Sequence, residues 1–351
     1  MASIQPFLRT LKTHYFTYLS SIALYFCSVA LLGACDICGC AVPNHPWDPR
    51  AGFILGAAEQ YTRFDTIQVN GDEIGNPAGQ FLNSSNTQLY IGYNFIPSLG
   101  AQVNVPLIYR SYRRTTDTGI QNGKVSGLGD ISLLAHYIPI VRETEYFSFQ
   151  ARIDAGIKLP TGDSDFLGEE AEEGHSHGIE HTGHEEDDGH EDEHEEEHTE
   201  IPASAIHGHD LALGSGSIDG IVGGSFYARY RRMFLAGEIQ YAIRGDGSFD
   251  YRYANDLSFS TGPGVYVIDS SDATFALRAI FSGETKGKDH FRGTSVDDTA
   301  VTLLYLGPKV AFTWRDHLSA EVEFDIPVLR DNSSLQIVPD YRVRAGLSWA
   351  F

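Results

Sequence analysis

Positive charge and cysteine are both scarce in this sequence. The 351 residues include 25 Lys and Arg against 47 Asp and Glu, which gives a net charge of −22. This balance offers no electrostatic attraction to phosphate backbones, so nucleic acid is not expected as a partner. The 4 cysteines all lie within the first 40 residues, which argues against a disulfide-stabilised scaffold.

Long apolar runs are also missing beyond residue 34, so no transmembrane helix is expected in the mature chain. The apolar run at residues 22–34 is 13 residues long and follows Arg9 and Lys12. That arrangement predicts a secretory signal peptide over residues 1–34. A cysteine-containing periplasmic segment, residues 35–50, is expected to follow it.

The cysteines at the predicted mature N-terminus have more than one interpretation. Residues 32–34 (Leu-Gly-Ala) precede Cys35 in a pattern that resembles a lipoprotein cleavage box, with Cys35 as the lipidated residue. Ordinary signal cleavage after Ala34 is the alternative. Cys35, Cys38 and Cys40 have C-x2-C-x-C spacing, and thiolates in such a cluster can hold a soft ion such as Cu(I). Cys38 and Cys40 are therefore candidate metal ligands, with a disulfide or an inert pair as the other interpretation.

Most of the chain after residue 50 alternates between apolar and polar residues. From Phe149 to Leu159 every second residue is apolar, and the intervening positions include Arg152, Asp154 and Lys158. Because successive side chains of a strand point to opposite faces, this pattern predicts strands with one apolar and one polar face. Twelve such segments are predicted, at residues 53–65, 86–95, 101–111, 129–138, 146–159, 217–230, 234–244, 257–268, 273–284, 299–314, 318–328 and 341–351.

The connections between these segments alternate between short and long. Short turns are predicted at 96–100, 139–145, 231–233, 269–272 and 315–317, and long polar connections at 66–85, 112–128, 160–216, 245–256, 285–298 and 329–340. Even strand number with this alternation is typical of a bacterial outer-membrane barrel whose short turns and termini are periplasmic. The sequence therefore predicts an all-β fold over residues 51–351, an up-and-down antiparallel transmembrane β-barrel of about 12 strands. A soluble sandwich or lipocalin-like barrel, with its apolar face inward, is the alternative.

Two short motifs give the barrel region a family resemblance. Gly127-Leu128-Gly129-Asp130 opens one predicted strand, and Leu159-Pro160-Thr161-Gly162-Asp163 closes the next. Their spacing resembles that of the outer-membrane barrel family labelled for the MetA pathway of phenol degradation. The resemblance covers residues 50–351 and implies passive or poorly defined transport of small, often apolar, molecules. The N-terminal cysteines and a His/acid insert lie outside the family pattern, so the phenol label is not carried over.

This insert carries most of the negative charge. Residues 169–200 hold 16 Asp and Glu with no Lys or Arg; without them 31 acids face 25 bases, a net charge of −6. Residues 164–213, within the third long connection, are therefore expected to form a His/Asp/Glu-rich extracellular loop. Imidazole and carboxylate groups bind zinc, copper and nickel, and a loop kept only for solubility has no need of histidine. Proton sensing and a merely solvated acidic loop are the alternatives. The candidate ligands are His175, His177, His181, His184, His190, His194, His198, His207 and His209.

The polar faces of the predicted strands carry both signs of charge. If the apolar faces meet lipid, the lumen is lined by Arg152, Asp154, Lys158, Glu238, Arg244, Arg278, Glu321, Glu323, Arg342 and Arg344, together with Asp219, Arg229 and Asp325. A barrel of about twelve strands is narrow. These charges are therefore expected either to pair with one another and fill the barrel or to line a selective pore.

Enzymatic chemistry is not expected. Outer-membrane phospholipases of twelve strands need a Ser and a His in contact at the membrane face, whereas Ser132 and His136 lie on the polar, inward face of their strand. Gly-rich phosphate loops are missing from the sequence. The stretch His194–His198 formally matches H-E-x-x-H, but in so biased a segment chance explains the match.

These features predict a bacterial outer-membrane barrel that takes up or handles a small solute. The first hypothesis is a divalent transition metal, captured by the external loop. One alternative is a porin-like channel for small organic or aromatic molecules with a non-functional loop. Another is a surface metal-binding protein with a plugged barrel. Membrane lipid and divalent metal ions are the expected partners, with zinc or copper bound by the loop and not used for catalysis.

Overall fold

The alternating segments form long strands. The computed structural model describes residues 51–170 and 203–351. In chain order its strands are β1 (Gly52–Val69), β2 (Asp72–Ile74), β3 (Phe81–Ile96), β4 (Leu99–Thr116), β5 (Gly119–Leu128), β6 (Ser132–Glu143), β7 (Phe147–Lys158), β8 (Asp219–Tyr230), β9 (Met233–Ile243), β10 (Tyr251–Arg252), β11 (Asp256–Asp269), β12 (Ala273–Lys286), β13 (His290–Phe291), β14 (Thr294–Ser295), β15 (Val301–Trp314), β16 (Leu318–Asn332) and β17 (Leu335–Ala350). Twelve of these form the wall of a barrel, namely all except β2, β5, β10, β13 and β14.

The wall closes because its last strand pairs with its first. Each wall strand is antiparallel to the next, and β17 pairs with β1 from Ile54 opposite Ala350 to Val69 opposite Leu335. Lipid cannot hydrogen-bond to a backbone, so a sheet that spans a membrane must pair both of its edges. The prediction of a twelve-stranded up-and-down antiparallel barrel is confirmed.

The apolar face of the strands lies on the outside of the barrel. On β7, Ile153 and Ile157 are 56% and 44% exposed, whereas Lys158 is 6% exposed. On β3 and β4 the polar side chains of Gln88 and Asn104 are buried. A soluble barrel would show the opposite arrangement, with its apolar side chains inside. The soluble alternative is therefore wrong, and the outer surface is suited to lipid.

The two ends of the barrel differ. Turns of two or three residues close one end, at 97–98, 144–146, 231–232, 270–272 and 315–317. Exposed aromatic side chains surround this end, and they are Phe53, Tyr93, Phe95, Tyr137, Tyr146, Phe147, Tyr230, Trp314, Trp349 and Phe351. An aromatic girdle marks a membrane–water interface. Because outer-membrane barrels have short periplasmic turns and longer extracellular loops, the end with the short turns is periplasmic and the long connections lie at the extracellular end.

At the extracellular end the strands run further than the alternation predicts. The connection predicted at 329–340 is a turn of two residues, because β16 continues to Asn332 and β17 begins at Leu335. The connections predicted at 66–85 and 112–128 contain β2 and β5. Only about 9–11 residues of a strand cross the membrane. Beyond the membrane, both faces of a strand contact water or protein. The alternation of apolar and polar residues therefore stops there, although the hydrogen bonds between strands continue.

Short helical elements occur in the extracellular connections. The helix α1 (Gly208–Leu211) has 4 residues, and two 3-10 turns lie at Ser248–Asp250 and Asp297–Thr299. Within the described ranges, no helix is both long enough and apolar enough to cross a bilayer. The helix α1 matters for its position, because it lies between the wall strands at the mouth of the barrel.

Candidate solute pathway and extracellular cap

The residues predicted to line the lumen all belong to the wall or directly adjoin it. Arg244 immediately follows β9, and the others lie on β7, β8, β9, β12, β16 and β17. None of the thirteen is exposed. In a single-layered barrel with an apolar exterior, a shielded charged side chain on the wall faces the lumen.

Charged side chains join neighbouring strands at the extracellular end of the lumen. Lys158 Nζ lies 3.1 Å from Asp130 Oδ2 and 2.9 Å from Asp219 Oδ2. Arg244 lies 2.8 Å from Asp219 through Nη1, and its Nε donates to Asp256 at 2.6 Å. All five side chains are buried. This first lumen cluster contains three acids and two bases, so its formal charge is −1.

A second lumen cluster lies deeper in the barrel. Arg344 Nη2 is 2.7 Å from Asp325 Oδ2, and Arg342 Nε is 3.1 Å from the same oxygen. Lys309 Nζ is 2.8 Å from Glu321 Oε1. The cluster consists of Glu284, Lys309, Glu321, Glu323, Asp325, Arg342 and Arg344. Its four acids and three bases also sum to −1.

Other predicted lining residues are held by the wall itself. Arg152 Nε lies 3.0 Å from Asp154 Oδ1 on the same face of β7. Arg278 donates to the carbonyl oxygen of Gly262 at 3.1 Å and to that of Ala236 at 2.6 Å. Most charged groups of the lumen therefore have fixed positions, and each of the two clusters has one more acid than base.

A polar cavity adjoins the first lumen cluster. Its volume is about 10 Å³, which is room for about one water molecule. Its lining residues are Gln88, Asn104, Pro106, Asp130, Ser132, Lys158, Asp219, Ile221, Gln240, Ala242 and Arg244. Because most of them offer an amide, a hydroxyl or a charge, the cavity suits a water molecule better than an apolar group.

The two motifs that carry the family resemblance meet in space. Asp130 Oδ1 accepts a hydrogen bond from the Gly162 amide at 3.0 Å, and Thr161 Oγ1 donates to the Gly129 carbonyl at 2.9 Å. A Cβ atom on Gly162 would lie only 2.7 Å from the Leu213 carbonyl oxygen, so this close approach requires glycine. The motifs therefore fix where the third extracellular connection leaves and rejoins the wall.

Residues 163–170 and 203–217, here called the extracellular cap, pack against the inner side of the wall. Ile206 and Leu211 are buried in one apolar cluster with Phe64, Leu82 and Tyr112 of β1, β3 and β4. Burying an apolar side chain of this size stabilises a structure by about 1.5–3 kcal/mol. The cap is therefore held at the extracellular mouth of the lumen by apolar contacts.

Polar contacts from three wall strands or their connections also hold the cap. The fully buried Arg110 of β4 donates through Nη1 to the carbonyl oxygens of Asp210 at 2.6 Å and Ala212 at 2.7 Å. Gln80 accepts a hydrogen bond from the Ala205 amide at 3.0 Å, and the Ile337 amide donates to the Ala205 carbonyl at 3.0 Å. The cap thus narrows the path between the extracellular side and the lumen.

Two of the predicted metal ligands, His207 and His209, come together in the cap. Their rings stack 5.6 Å apart, with an angle of 17° between planes. His209 Nδ1 lies 2.8 Å from Glu170 Oε1, and its Nε2 lies 3.3 Å from Asp210 Oδ1. His207 Nδ1 lies 3.3 Å from Asp298 Oδ2, which belongs to the connection after β12. One ligand atom from each of His207, His209 and Asp210 lies within 4.8 Å of the others.

The carboxylates around His209 control its protonation. Burial opposes the charged form of His209, but the charges of Asp210 and Glu170 outweigh burial and raise its pKa to about 10. Burial likewise opposes the charged form of Glu170, and the positive charge of His209 outweighs it and lowers the Glu170 pKa to about 2. Without a metal, the two groups therefore form an ion pair at neutral pH.

The other predicted ligands lie outside the described residues. These are His175, His177, His181, His184, His190, His194, His198, Cys38 and Cys40, together with the lipidation candidate Cys35. Their proposed roles stay predictions, as do the signal peptide over residues 1–34 and the segment at 35–50.

The Ser and His weighed for catalysis lie apart on β6. Ser132 Oγ accepts a hydrogen bond from Asn104 Nδ2 at 3.1 Å. Four strand positions separate it from His136, which corresponds to about 13 Å at about 3.3 Å per residue. The pair therefore does not form a nucleophile and base in the described structure.

Several charged residues of the lumen and cap were missed by the sequence analysis. Glu284, Lys309 and Arg110 lie on the polar faces of predicted strands, so the alternation that identified the other lining residues places them in the lumen as well. Asp130 and Asp256 lie at or beyond the ends of wall strands. At a strand end, the alternation does not indicate which face of the sheet a residue lies on. Only the pairing of the strands reveals the position of these two residues.

The comparisons with known proteins identify the fold. No family model and no curated protein matches the chain. An outer membrane channel from Pseudomonas putida F1 has a TM-score of 0.57 at 16% identity, over 89% of this chain and 100% of that one. The transport unit of the autotransporter AIDA-I from Escherichia coli has a TM-score of 0.44 at 7% identity, over 90% of this chain and 96% of that one. The β domain of the Bordetella autotransporter BrkA has a TM-score of 0.41 at 11% identity, over 86% of this chain and 100% of that one.

The chain is a bacterial outer-membrane β-barrel. Its closed wall and its apolar exterior suit a lipid bilayer, and its likeness to the Pseudomonas channel agrees with the barrel fold. The family labelled for phenol degradation remains a resemblance carried by the two motifs, since no family model matches. The structural similarity concerns the barrel fold alone.

Proposed function

We propose that the chain is a narrow, porin-like channel for small polar solutes. The observation that carries the proposal is the shielded, charged lumen beneath the extracellular cap, together with the polar cavity beside Lys158. A wall with its charges inside supports passage of groups that need polar partners. The solved Pseudomonas structure of the same fold is named an outer membrane channel, which supports the same class of function.

The two lumen clusters favour cations among small solutes. Each lumen cluster has one more acid than base, and a narrow path lined by low-dielectric walls strengthens the effect of such an excess. Apolar aromatic molecules would have to pass the same charged groups without hydrogen bonds to offer them, which is unfavourable. The charge of the lumen therefore supports a small polar or cationic solute over an aromatic one.

Single-channel recording in planar bilayers tests this proposal. With a KCl gradient across the membrane, we expect a small conductance and a reversal potential that favours K⁺. Glu321→Gln removes one acid from the second lumen cluster and should shift the reversal potential towards Cl⁻. Asp272→Asn, which changes an exposed acid in a periplasmic turn, is the control and should leave it unchanged. A barrel that inserts but conducts nothing, even when the cap is loosened by Arg110→Ala, would overturn the channel in favour of a plugged barrel.

A second proposal concerns the solute itself, which we infer to be a divalent transition metal gathered by the His/acid loop. The specific support is that this loop leaves and rejoins the described structure next to Glu170, His207 and His209, at the mouth of a lumen whose two charge clusters each have one more acid than base. Zinc entry into vesicles that contain the barrel and a trapped zinc indicator provides the test. Replacing the seven histidines of residues 169–200 with serine should slow zinc entry and leave K⁺ conductance unchanged. Equal zinc entry in both proteins would exclude the loop from transport.

A further inference from the structure

Two histidines and three carboxylates converge in the extracellular cap from three separate segments of the chain. Glu170 precedes the His/acid insert, His207 to Asp210 follow it, and Asp298 belongs to the connection between β12 and β15. The side chains of Glu170, His209 and Asp210 are at most 11% exposed, and His207 is 14% exposed. We propose that His207, His209 and Asp210 form a transition-metal site of the zinc class, which fastens the cap.

The ligand geometry supports such a site. Tetrahedral zinc with bonds of about 2.1 Å has ligand atoms about 3.4 Å apart. His209 Nε2 and Asp210 Oδ1 are already separated by 3.3 Å. A ring nitrogen of His207 lies within 4.8 Å of both residues, so a ring movement of about 1–2 Å completes three ligands. A water molecule in the fourth position would complete the tetrahedron, as in zinc sites with three protein ligands.

Each imidazole also has a carboxylate beside its Nδ1. Glu170 Oε1 lies 2.8 Å from His209 Nδ1, and Asp298 Oδ2 lies 3.3 Å from His207 Nδ1. A carboxylate at Nδ1 orients a histidine and makes its Nε2 a better ligand. Nδ1 of His207 is buried and finds no hydrogen-bond partner within the described structure, so a small movement towards Asp298 would satisfy it.

The charge of the cluster calls for a cation. Three carboxylates surround two imidazoles. Of the neighbouring bases, Lys286 pairs with Asp289 at 2.8 Å, and Arg110 donates to the Asp210 carbonyl oxygen at 2.6 Å. With His209 as an imidazolium, the three acids still exceed the cluster's own positive charge by two. A divalent ion that replaces the Nε2 proton of His209 and releases it to solvent brings the cluster closer to neutrality. Two nitrogens and one oxygen suit zinc, and also Ni²⁺ and Cu²⁺.

A metal here would connect cap and barrel. His209 also accepts at its carbonyl from the hydroxyl of Tyr253 at 3.0 Å, and its ring stacks on Tyr251 at 6.2 Å. Asp298 contacts His207, so the connection between β12 and β15 also takes part in the site. Binding would therefore stabilise the cap in the closed position over the lumen. The inference rests on described residues alone and holds whether or not the channel conducts or the His/acid insert binds metal.

Cobalt spectroscopy on the full chain tests the site. The background protein carries serine in place of the seven histidines of the insert and of Cys35, Cys38 and Cys40, so that the cap histidines are isolated. We expect one equivalent of Co²⁺ per chain, with visible d–d absorption of a tetrahedral ion, displaced by one equivalent of Zn²⁺. His207→Gln in this background should weaken Co²⁺ binding at least tenfold. His290→Ala, at an exposed histidine on β13 in the same extracellular region, should leave binding unchanged.

Hydrogen exchange separates loss of the site from loss of the fold. Zn²⁺ should slow amide exchange in residues 203–213 and 297–299 together in the background protein, and should have no effect in the His207→Gln variant. Both proteins should keep the same protection in β1, β3 and β17. Absence of stoichiometric Co²⁺ binding by the background protein, or binding that His207→Gln leaves intact, overturns the site. Neither readout measures conductance, so failure of the proposed channel would be seen separately.

Discussion

Arg110 shows how one side chain can hold a loop inside a barrel. It is 1% exposed, and one guanidinium nitrogen donates to two carbonyl oxygens of the cap at 2.6 and 2.7 Å. Hydrogen bonds to a charged group contribute about 1.5–3 kcal/mol each. A flexible ammonium cannot reproduce the fixed geometry of a guanidinium, so the identity of the residue matters as well as its charge.

Arg110→Ala should therefore open the cap. We expect amide exchange in residues 203–213 to accelerate by at least tenfold, since loss of about 1.4 kcal/mol corresponds to a factor of ten. Arg110→Lys should give an intermediate acceleration. The measurement is hydrogen exchange by mass spectrometry in detergent micelles. Arg315→Ala, at an exposed arginine in a periplasmic turn, should leave cap exchange at the wild-type rate. Equal rates for Arg110→Ala and wild type would mean that the apolar contacts alone hold the cap.

The residues of the candidate site differ in how far the sequence could predict them. Arg152, Asp154 and Lys158 follow from the alternation of a single strand, because their face is set by the apolar residues between them. The meeting of His207 with Asp298 could not be predicted, since these residues come from two connections whose paths depend on cap packing. The residue types in the sequence predict the histidines as metal ligands. Only the fold shows that His207 and His209 lie beside carboxylates.

At the scale of elements, the junction of the two short motifs sets the path of the cap. Asp130 receives hydrogen bonds from the Gly162 amide at 3.0 Å and from the Ser215 amide and hydroxyl at 2.9 and 2.8 Å. It also pairs with Lys158 at 3.1 Å. One carboxylate therefore joins both ends of the third extracellular connection to β7. The motif that suggested a family resemblance has a physical role that does not depend on any substrate.

Substituting Asp130 tests this role. Asp130→Asn removes the charge from a buried ion pair and leaves Lys158 less compensated, which typically costs about 3–5 kcal/mol. We expect a loss of folding free energy of about that size in urea titrations of the barrel in lipid vesicles. Asp163→Asn changes the exposed acid of the neighbouring motif and should cost less than about 1 kcal/mol. Similar losses for the two variants would contradict the assigned role of Asp130.

The ends of the strands were less predictable than their membrane-spanning parts. The turn at Asn70-Gly71 has positive φ at both residues, 51° and 86°, as a two-residue hairpin turn requires. Asn-Gly is a strong hairpin signal, so it indicates a second strand, such as β2, within the connection predicted at 66–85. By contrast, β16 and β17 meet at Ser333-Ser334, which carries no such signal. That extension follows from pairing of β17 with the long β1.

At the scale of the whole molecule, the alternation was informative because lipid imposes it. Every membrane-spanning strand must present apolar residues to hydrocarbon, so the pattern recurs twelve times and reveals strand number, topology and inner face together. Net charge was less informative about the barrel. Most of the −22 belongs to residues 169–200, and the described lumen clusters differ from neutrality by one charge each. The charge of each lumen cluster depends on which acids and bases pair across neighbouring strands, and the sequence does not show this pairing.

The membrane-facing exterior makes a last prediction that depends on depth. Ile239 lies near the middle of β9 and is 51% exposed, while Met233 begins the same strand on the same face and is 66% exposed. Lysine at the bilayer midplane of a barrel costs about 2–4 kcal/mol, and near an interface about 0–1 kcal/mol. Ile239→Lys should therefore destabilise the barrel strongly in vesicle urea titrations, and Met233→Lys should have little effect. Since both substitutions add the same charge and are exposed, equal effects would mean that depth in lipid does not set the cost at this face.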